Sequence, residues 1–122
     1  MKSKHAVRTK RVYEPPAQDD GKRVLVDRIW PRGLTKQRAA VDVWLKEIAP
    51  SAALRTWFGH DPERWEEFRE RYFEELRANS GEVARLLDLR SAGKVTLLFG
   101  AHDPERNNAA ALQAYLASLG RR

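Results

Sequence analysis

Arg23-Val24-Leu25-Val26-Asp27-Arg28-Ile29-Trp30-Pro31-Arg32-Gly33 is the stretch on which the reading of the fold turns. Val24 to Val26 is an apolar run of strand length that stops abruptly in charge. In open α/β sheets ligands bind outside the carboxyl ends of the strands, so Asp27, Arg28 and Arg32 stand where a site belongs. Pro31 biases Trp30 toward an extended backbone. Gly33 permits a positive φ and therefore a sharp turn. One acid, two arginines and an indole are expected on a constrained loop. The competing reading is an internal ion pair that ties the loop down.

A second apolar run, Val95-Thr96-Leu97-Leu98-Phe99, is the clearest buried strand. Gly100-Ala101-His102 leads from it into Asp103-Pro104-Glu105, which reads as a helix start with Asp at the cap and Pro at the first position. The last helix buries Ala109, Leu112, Leu116 and Leu119 before Gly120. Toward the N-terminus, His5 to Tyr13 reads as an edge strand whose Lys and Arg discourage further pairing. Glu14-Pro15-Pro16 ends it, and Ala17 to Gly21 forms a turn.

Between the two apolar runs the pattern is helical. Thr35 caps a short turn through Ala40, and Ser51 caps a helix carrying Leu54, Trp57 and Phe58 that Gly59 ends. Asp61-Pro62-Glu63 opens a longer helix with Trp65, Phe68, Tyr72, Phe73 and Leu76 on one face. Asn79-Ser80-Gly81 breaks it, and Glu82 to Arg90 forms another helix that ends near Gly93. Val41 to Leu45 fits a strand or the start of a helix. The expected fold class is α/β: a small, mostly parallel sheet with helices packed on its faces, in a single domain over residues 1–122.

The composition narrows the chemistry. The hydrophobic fraction of 42% and four tryptophans suit a folded core. The chain has no cysteine, which excludes disulfides, thiolate nucleophiles and cysteine-ligated clusters. No signal peptide is legible after Lys2 and Lys4. No apolar run approaches the ~20 residues of a membrane span, so a cytoplasmic protein without membrane contact is expected. The net charge of +6 favours an acidic partner: a nucleotide, another phosphorylated small molecule or a nucleic acid. Plain solubility explains such a charge equally well.

Several long segments together resemble the YeaO-like family of small bacterial proteins. They are Arg11-Val12-Tyr13-Glu14-Pro15, the opening stretch through Gly33, Trp44 to Ser51, Trp57 to Trp65, and Thr96 to Phe99. The resemblance covers nearly the whole chain. It implies a cytoplasmic α/β protein built on a domain of unknown function, and it implies no established activity. More distant members of that group carry a Cys-His-Arg triplet after the last strand. The roughly matching positions here read Asn107-Asn108-Ala109, which removes thiol chemistry from this chain.

The candidate site residues follow from placement. Arg28 and Arg32 suit phosphate or carboxylate through their forked donors. Trp30 suits stacking on a ring, or core packing. Asp27 and His102 are the candidate catalytic acid–base residues, and His60, Arg106, Asn107 and Asn108 are candidate ligand contacts. A surface or capping role is the competing reading for the histidines. Phe58-Gly59-His60-Asp61-Pro62-Glu63-Arg64 is echoed by Phe99-Gly100-Ala101-His102-Asp103-Pro104-Glu105-Arg106, so each copy sets a His before a helix start. No metal site is indicated by spacing, and no cofactor motif occurs. Two function classes stand: a protein binding an anionic small ligand between the Asp27–Gly33 and Gly100–Asn108 loops, and a nucleic-acid-binding module. The oligomeric state and any reaction are left open. Any nucleic-acid binding is expected to be weak and to fall steeply with added salt in a filter or fluorescence titration. Submicromolar, sequence-selective binding at physiological salt would favour the module instead.

Overall fold

The computed structural model describes residues 7–119. His5, expected at the start of the first strand, and Gly120, expected after the last helix, lie outside the described residues. Four strands form one sheet: β1 (Val7–Arg11), β2 (Lys22–Leu25), β3 (Val43–Trp44) and β4 (Val95–Phe99). Their order is β1-β4-β2-β3, and every pairing is parallel. The two apolar runs are therefore direct neighbours, with Val24 opposite Leu97 and Leu25 opposite Leu98. β1 takes the edge, as its charges imply. The ambiguous Val41–Leu45 segment resolves as the short strand β3, followed by a 3-10 turn at Lys46–Ile48.

The strand period of two sorts the side chains onto unequal faces. Val24, Val26, Leu97 and Phe99 point into the main core. Five helices follow the strands in the order α1 (Lys36–Ala39), α2 (Ala52–Phe58), α3 (Trp65–Ala78), α4 (Ser80–Ala92) and α5 (Asn108–Leu119). Residues of α2 to α5 all join that main core. Leu25 and Leu98 point the other way, against Val12 and Ala39, with Trp30, Leu34 and Val41 alongside. One face thus carries a thick helical layer. The other carries only α1 and loops.

Local chemistry sets the element ends. Ser51 Oγ accepts the Leu54 N–H, and Glu75 takes the Ser51 N–H and hydroxyl, which fixes α2 against α3. Thr35 caps α1. The aromatic stripe of α3 is core at Phe68, Tyr72 and Leu76, whereas Trp65 is half-buried and packs at the margin. The Tyr72 hydroxyl donates to the Ile48 carbonyl at 2.6 Å. α4 begins at Ser80, so Gly81 lies inside its first turn and the break is Asn79 alone. At Gly21 (φ 66°) a side chain would overlap the Lys94 carbonyl beside it, so only glycine fits that turn.

At the start of β2, Asp20 and Arg23 form a buried pair at 2.7 Å. Arg23 also donates to the Ala39 and Ala40 carbonyls, and Lys10 reaches Asp20 from β1. Burial opposes the charge on Asp20, but hydrogen bonds from the Ala17 N–H, Arg23 and Lys10 outweigh it and hold the carboxyl below its usual value. The pair's stabilisation is therefore present above the ordinary carboxylate pKa and is lost as pH falls through the lowered one. Asp20→Ala leaves Arg23 buried without its counter-charge and is expected to lower stability by about 3–5 kcal/mol in urea unfolding at pH 7. A loss below about 1 kcal/mol would show that the pair contributes little.

Candidate functional site

Parallel strands end on the same edge of a sheet, so the loops after β2 and β4 meet. Asp27 closes that meeting. Its Oδ2 accepts the Gly100 N–H at 2.9 Å, and its Oδ1 accepts the Asn108 side-chain amide at 3.1 Å. The same amide donates to the Val26 carbonyl at 3.0 Å. Asp27 thereby ties the end of β2 to the end of β4 and to the first residue of α5. A Cβ on Gly100 would sit 3.2 Å from Oδ2, which leaves little room for any larger residue there. Arg11 braces the same loop from β1 by donating to the Ala101 and Gly100 carbonyls.

Beside this clasp opens a cavity of about 620 Å³. Ile29, Ala49, Pro50, Phe68 and Ala101 give it apolar walls. Asp27, Arg28, Arg55, His60, His102, Asp103 and Asn108 supply its polar groups. The volume and the mixture of apolar wall with a few polar groups match small-molecule sites.

The expected site residues divide by position. Asp27, Arg28, His60, His102 and Asn108 line the cavity. The echoed Phe-Gly-His segments therefore bring two histidines to one place, one from the end of α2 and one from the loop after β4. Trp30, Arg32, Arg106 and Asn107 do not line it. Trp30 packs on the thin face of the sheet, and its indole N–H donates to the Leu34 carbonyl at 2.8 Å. Arg32 is exposed beyond Pro31. Arg106 pairs with Asp103 at 3.5 Å. Asn107 is buried as a helix cap: its Oδ1 accepts the Ala110 N–H at 2.8 Å.

That cap corrects the expected helix start. Asp103 accepts the N–H groups of Glu105 and Arg106, but the turn does not propagate, and α5 begins at Asn108. Consecutive asparagines bond the backbone through their side chains, which favours a cap over a helix interior. The free N–H groups of α5 consequently start at Asn107, not at Asp103. Asp61-Pro62-Glu63 behaves as expected, forming a 3-10 turn that runs into α3.

Among the charged cavity residues, Arg55 and Asp103 were not among the expected site residues, Asp103 having been read only as a helix cap; Arg55 is the basic one. It lies in α2, and the signal was available: Ser51 and Gly59 bound that helix, and Arg55 lies on a different side of it from Leu54 and Phe58. Its side chain is exposed and forms no ion pair among the described residues. Arg28 is more committed, reaching Glu47 at 3.4 Å and the Ala49 carbonyl at 3.2 Å. Its Nε is buried without a partner among the described residues. His60 sits at φ 59°, directly after Gly59 at φ 56°. A left-handed conformation is unfavourable for a residue with a Cβ, and such outliers gather at functional positions.

Burial raises the Asp27 pKa above the ordinary carboxylate value. The Asn108 amide, the Gly100 N–H and the charges of Arg55 and His60 oppose the rise without cancelling it. Among the described residues no group of three or more His, Cys, Asp or Glu is placed to share a metal ion.

A family profile described as the inactive DUF488-N3 subclade, DUF488-N3i, matches residues 6–121. The chain belongs to this family. It is 43% identical over 113 residues to the uncharacterised protein YeaO of Escherichia coli, spanning 93% of this chain and 98% of that protein. It is 46% identical over 110 residues to uncharacterised proteins of Mycobacterium tuberculosis and Mycobacterium bovis, spanning 90% of this chain and 92% of each relative. No solved structure matches it. In this DUF488-N3i chain, Asn107 and Asn108 stand near where the resemblance expects Cys and His. Both amides are engaged in capping α5 and clasping Asp27.

Two outcomes test the clasp and the strained histidine. Asp27→Asn removes one acceptor and turns an NH2 group toward a donor, so it is expected to lower stability by about 1–3 kcal/mol at pH 7. Because the Asp27 pKa is raised, the wild type should lose some stability as pH rises from the ordinary carboxylate value through the raised one, and the variant should not. Denaturant unfolding across that pH range measures both. His60→Gly relieves the left-handed strain and is expected to leave stability within about 1 kcal/mol of wild type.

Proposed function

We propose that this protein binds an anionic small molecule in the cavity at the carboxyl edge of its sheet, and binds it without transforming it. The observation that carries the reading is convergence: Arg28 from the loop after β2, Arg55 and His60 from α2 and its end, and His102 from the loop after β4 line one cavity with an apolar wall. An exposed arginine without a carboxylate partner suits a phosphate or carboxylate group. The description of the family as inactive supports binding over catalysis. So does the engagement of Asp27, which accepts two internal hydrogen bonds and leaves Asp27 and His102 as ligand contacts instead of an acid–base pair.

The nucleic-acid alternative draws less support. The described basic residues of β1 are turned to internal partners: Arg8 and Lys10 to Asp19 and Asp20, and Arg11 to the Gly100 and Ala101 carbonyls. A broad basic stripe along that strand would require them free. No helix among the described residues is long and apolar enough to cross a membrane.

A thermal-shift screen of phosphorylated and carboxylated metabolites tests the proposal. A ligand at 100 times its Kd should stabilise the fold by about 2.7 kcal/mol. Arg55→Ala should leave the unliganded melting temperature unchanged and weaken the best hit by about 10-fold to 100-fold, the range of a charge-assisted hydrogen bond. Unaltered affinity in that variant would remove Arg55 from the site.

A further inference from the structure

We propose that the ligand is dipolar: it carries its anionic group at Arg55 and a hydrogen-bond donor, an amine or amide N–H, at Asp27, with an apolar body between them. The inference rests on the small-molecule reading above and narrows it. Asp27 and Arg55 line the same cavity, yet they form no ion pair with each other. A carboxylate has about four acceptor positions. Asp27 fills two of them, one per oxygen, from the Gly100 N–H and the Asn108 amide. Neither donor is a cation, and among the described residues no Lys, Arg or His forms a salt bridge with Asp27. The charges of Arg55 and His60 favour the ionised form of Asp27 without cancelling the effect of burial, so a shielded carboxylate with no direct ion pair gains from a further donor. Asp27 lines the cavity, so a ligand there can reach the acceptor positions that remain.

Arg55 presents the complementary case on the opposite sign. Each pole is held by its own element: Asp27 by the clasp at the ends of β2 and β4, Arg55 by α2 between its Ser51 and Gly59 caps. A ligand with only an anion would leave Asp27 facing it with like charge. A ligand with an anion at one end and a donor at the other satisfies both poles. Phe68, Ile29 and Pro50 line the same cavity and suit a hydrocarbon or ring spacer.

Isothermal titration of the full chain with three probes tests this: phenyl phosphate, 3-(aminomethyl)phenyl phosphate and 4-(aminomethyl)phenyl phosphate. At least one aminomethyl compound is expected to bind at least 10-fold more tightly than phenyl phosphate. In ¹³C spectra of the wild type, the Asp27 carboxyl resonance should shift with that compound and stay in place with phenyl phosphate. Arg55→Ala should weaken all three probes alike and preserve the gap between them. Asp27→Ala should erase the gap, and the wild-type carboxyl signal gives the same information if that variant does not fold. Equal binding of all three probes, or a tighter phenyl phosphate, overturns the dipolar ligand and leaves the anion-binding reading standing. Absence of binding by every probe overturns both.

Discussion

The Asp27 carboxylate carries the geometry of the site. It holds two donors from the two ends of the β4–α5 connection, the Gly100 N–H after β4 and the Asn108 amide at the start of α5. Without those bonds the loops after β2 and β4 would share an edge of the sheet but not a fixed separation. The hydrogen bonds are made at the expense of burying a charge, which is why the carboxyl is raised in pKa even while it accepts them. Arg11 supports the same loop from the sheet edge through two backbone carbonyls.

At the other end of β2 the logic is reversed. Asp20 is buried with its counter-ion, and Arg23 is fully used by one carboxylate and two carbonyls. That network closes the thin face of the sheet, where only α1 and loops provide cover. A complete set of partners reads as structure. The incomplete set around Asp27 and Arg55, in a cavity with apolar walls, reads as a place for something else. Both ends use the same residue types, so residue type alone does not separate the two roles.

The helical face supplies the rigidity behind the cavity. Phe58 stacks on Phe68, which meets Tyr72 at a tilt, from α2 into α3, and Phe68 continues to the cavity wall. The Ser51–Glu75 bonds hold α2, and Arg55 with it, on α3. His60 is then placed by two successive left-handed residues at the end of α2. A strained histidine at the cavity mouth, retained where glycine would be more comfortable, agrees with a role for its ring.

Apolar runs of strand length and helical stripes were enough to expect β2 and β4 in one covered, mostly parallel sheet, because such runs can be buried only there; that they are direct neighbours came from the structure. Family membership was also legible, since long motifs span nearly the whole chain. The loop after β2 was recognisable from charge set on the end of an apolar run and gave Asp27 and Arg28; the echoed Phe-Gly-His segments gave His60 and His102, and the polar loop after the last strand gave Asn108. What separated Asp27 from Arg32, or Asn108 from Asn107, was long-range. The side chains of Asp27 and Asn108 meet across 81 positions, and no local pattern encodes that distance. Trp30 turned to the thin face because its indole found the Leu34 carbonyl four residues on. Arg55 became a cavity residue only when α2 packed beside the edge where two strands end. The sequence by itself determined most of the strands and helices, through periodicity and caps, but left Val41–Leu45 open and set the start of α5 too early. The tertiary structure alone decided which charges are left unpaired, because pairing depends on distances that only packing sets.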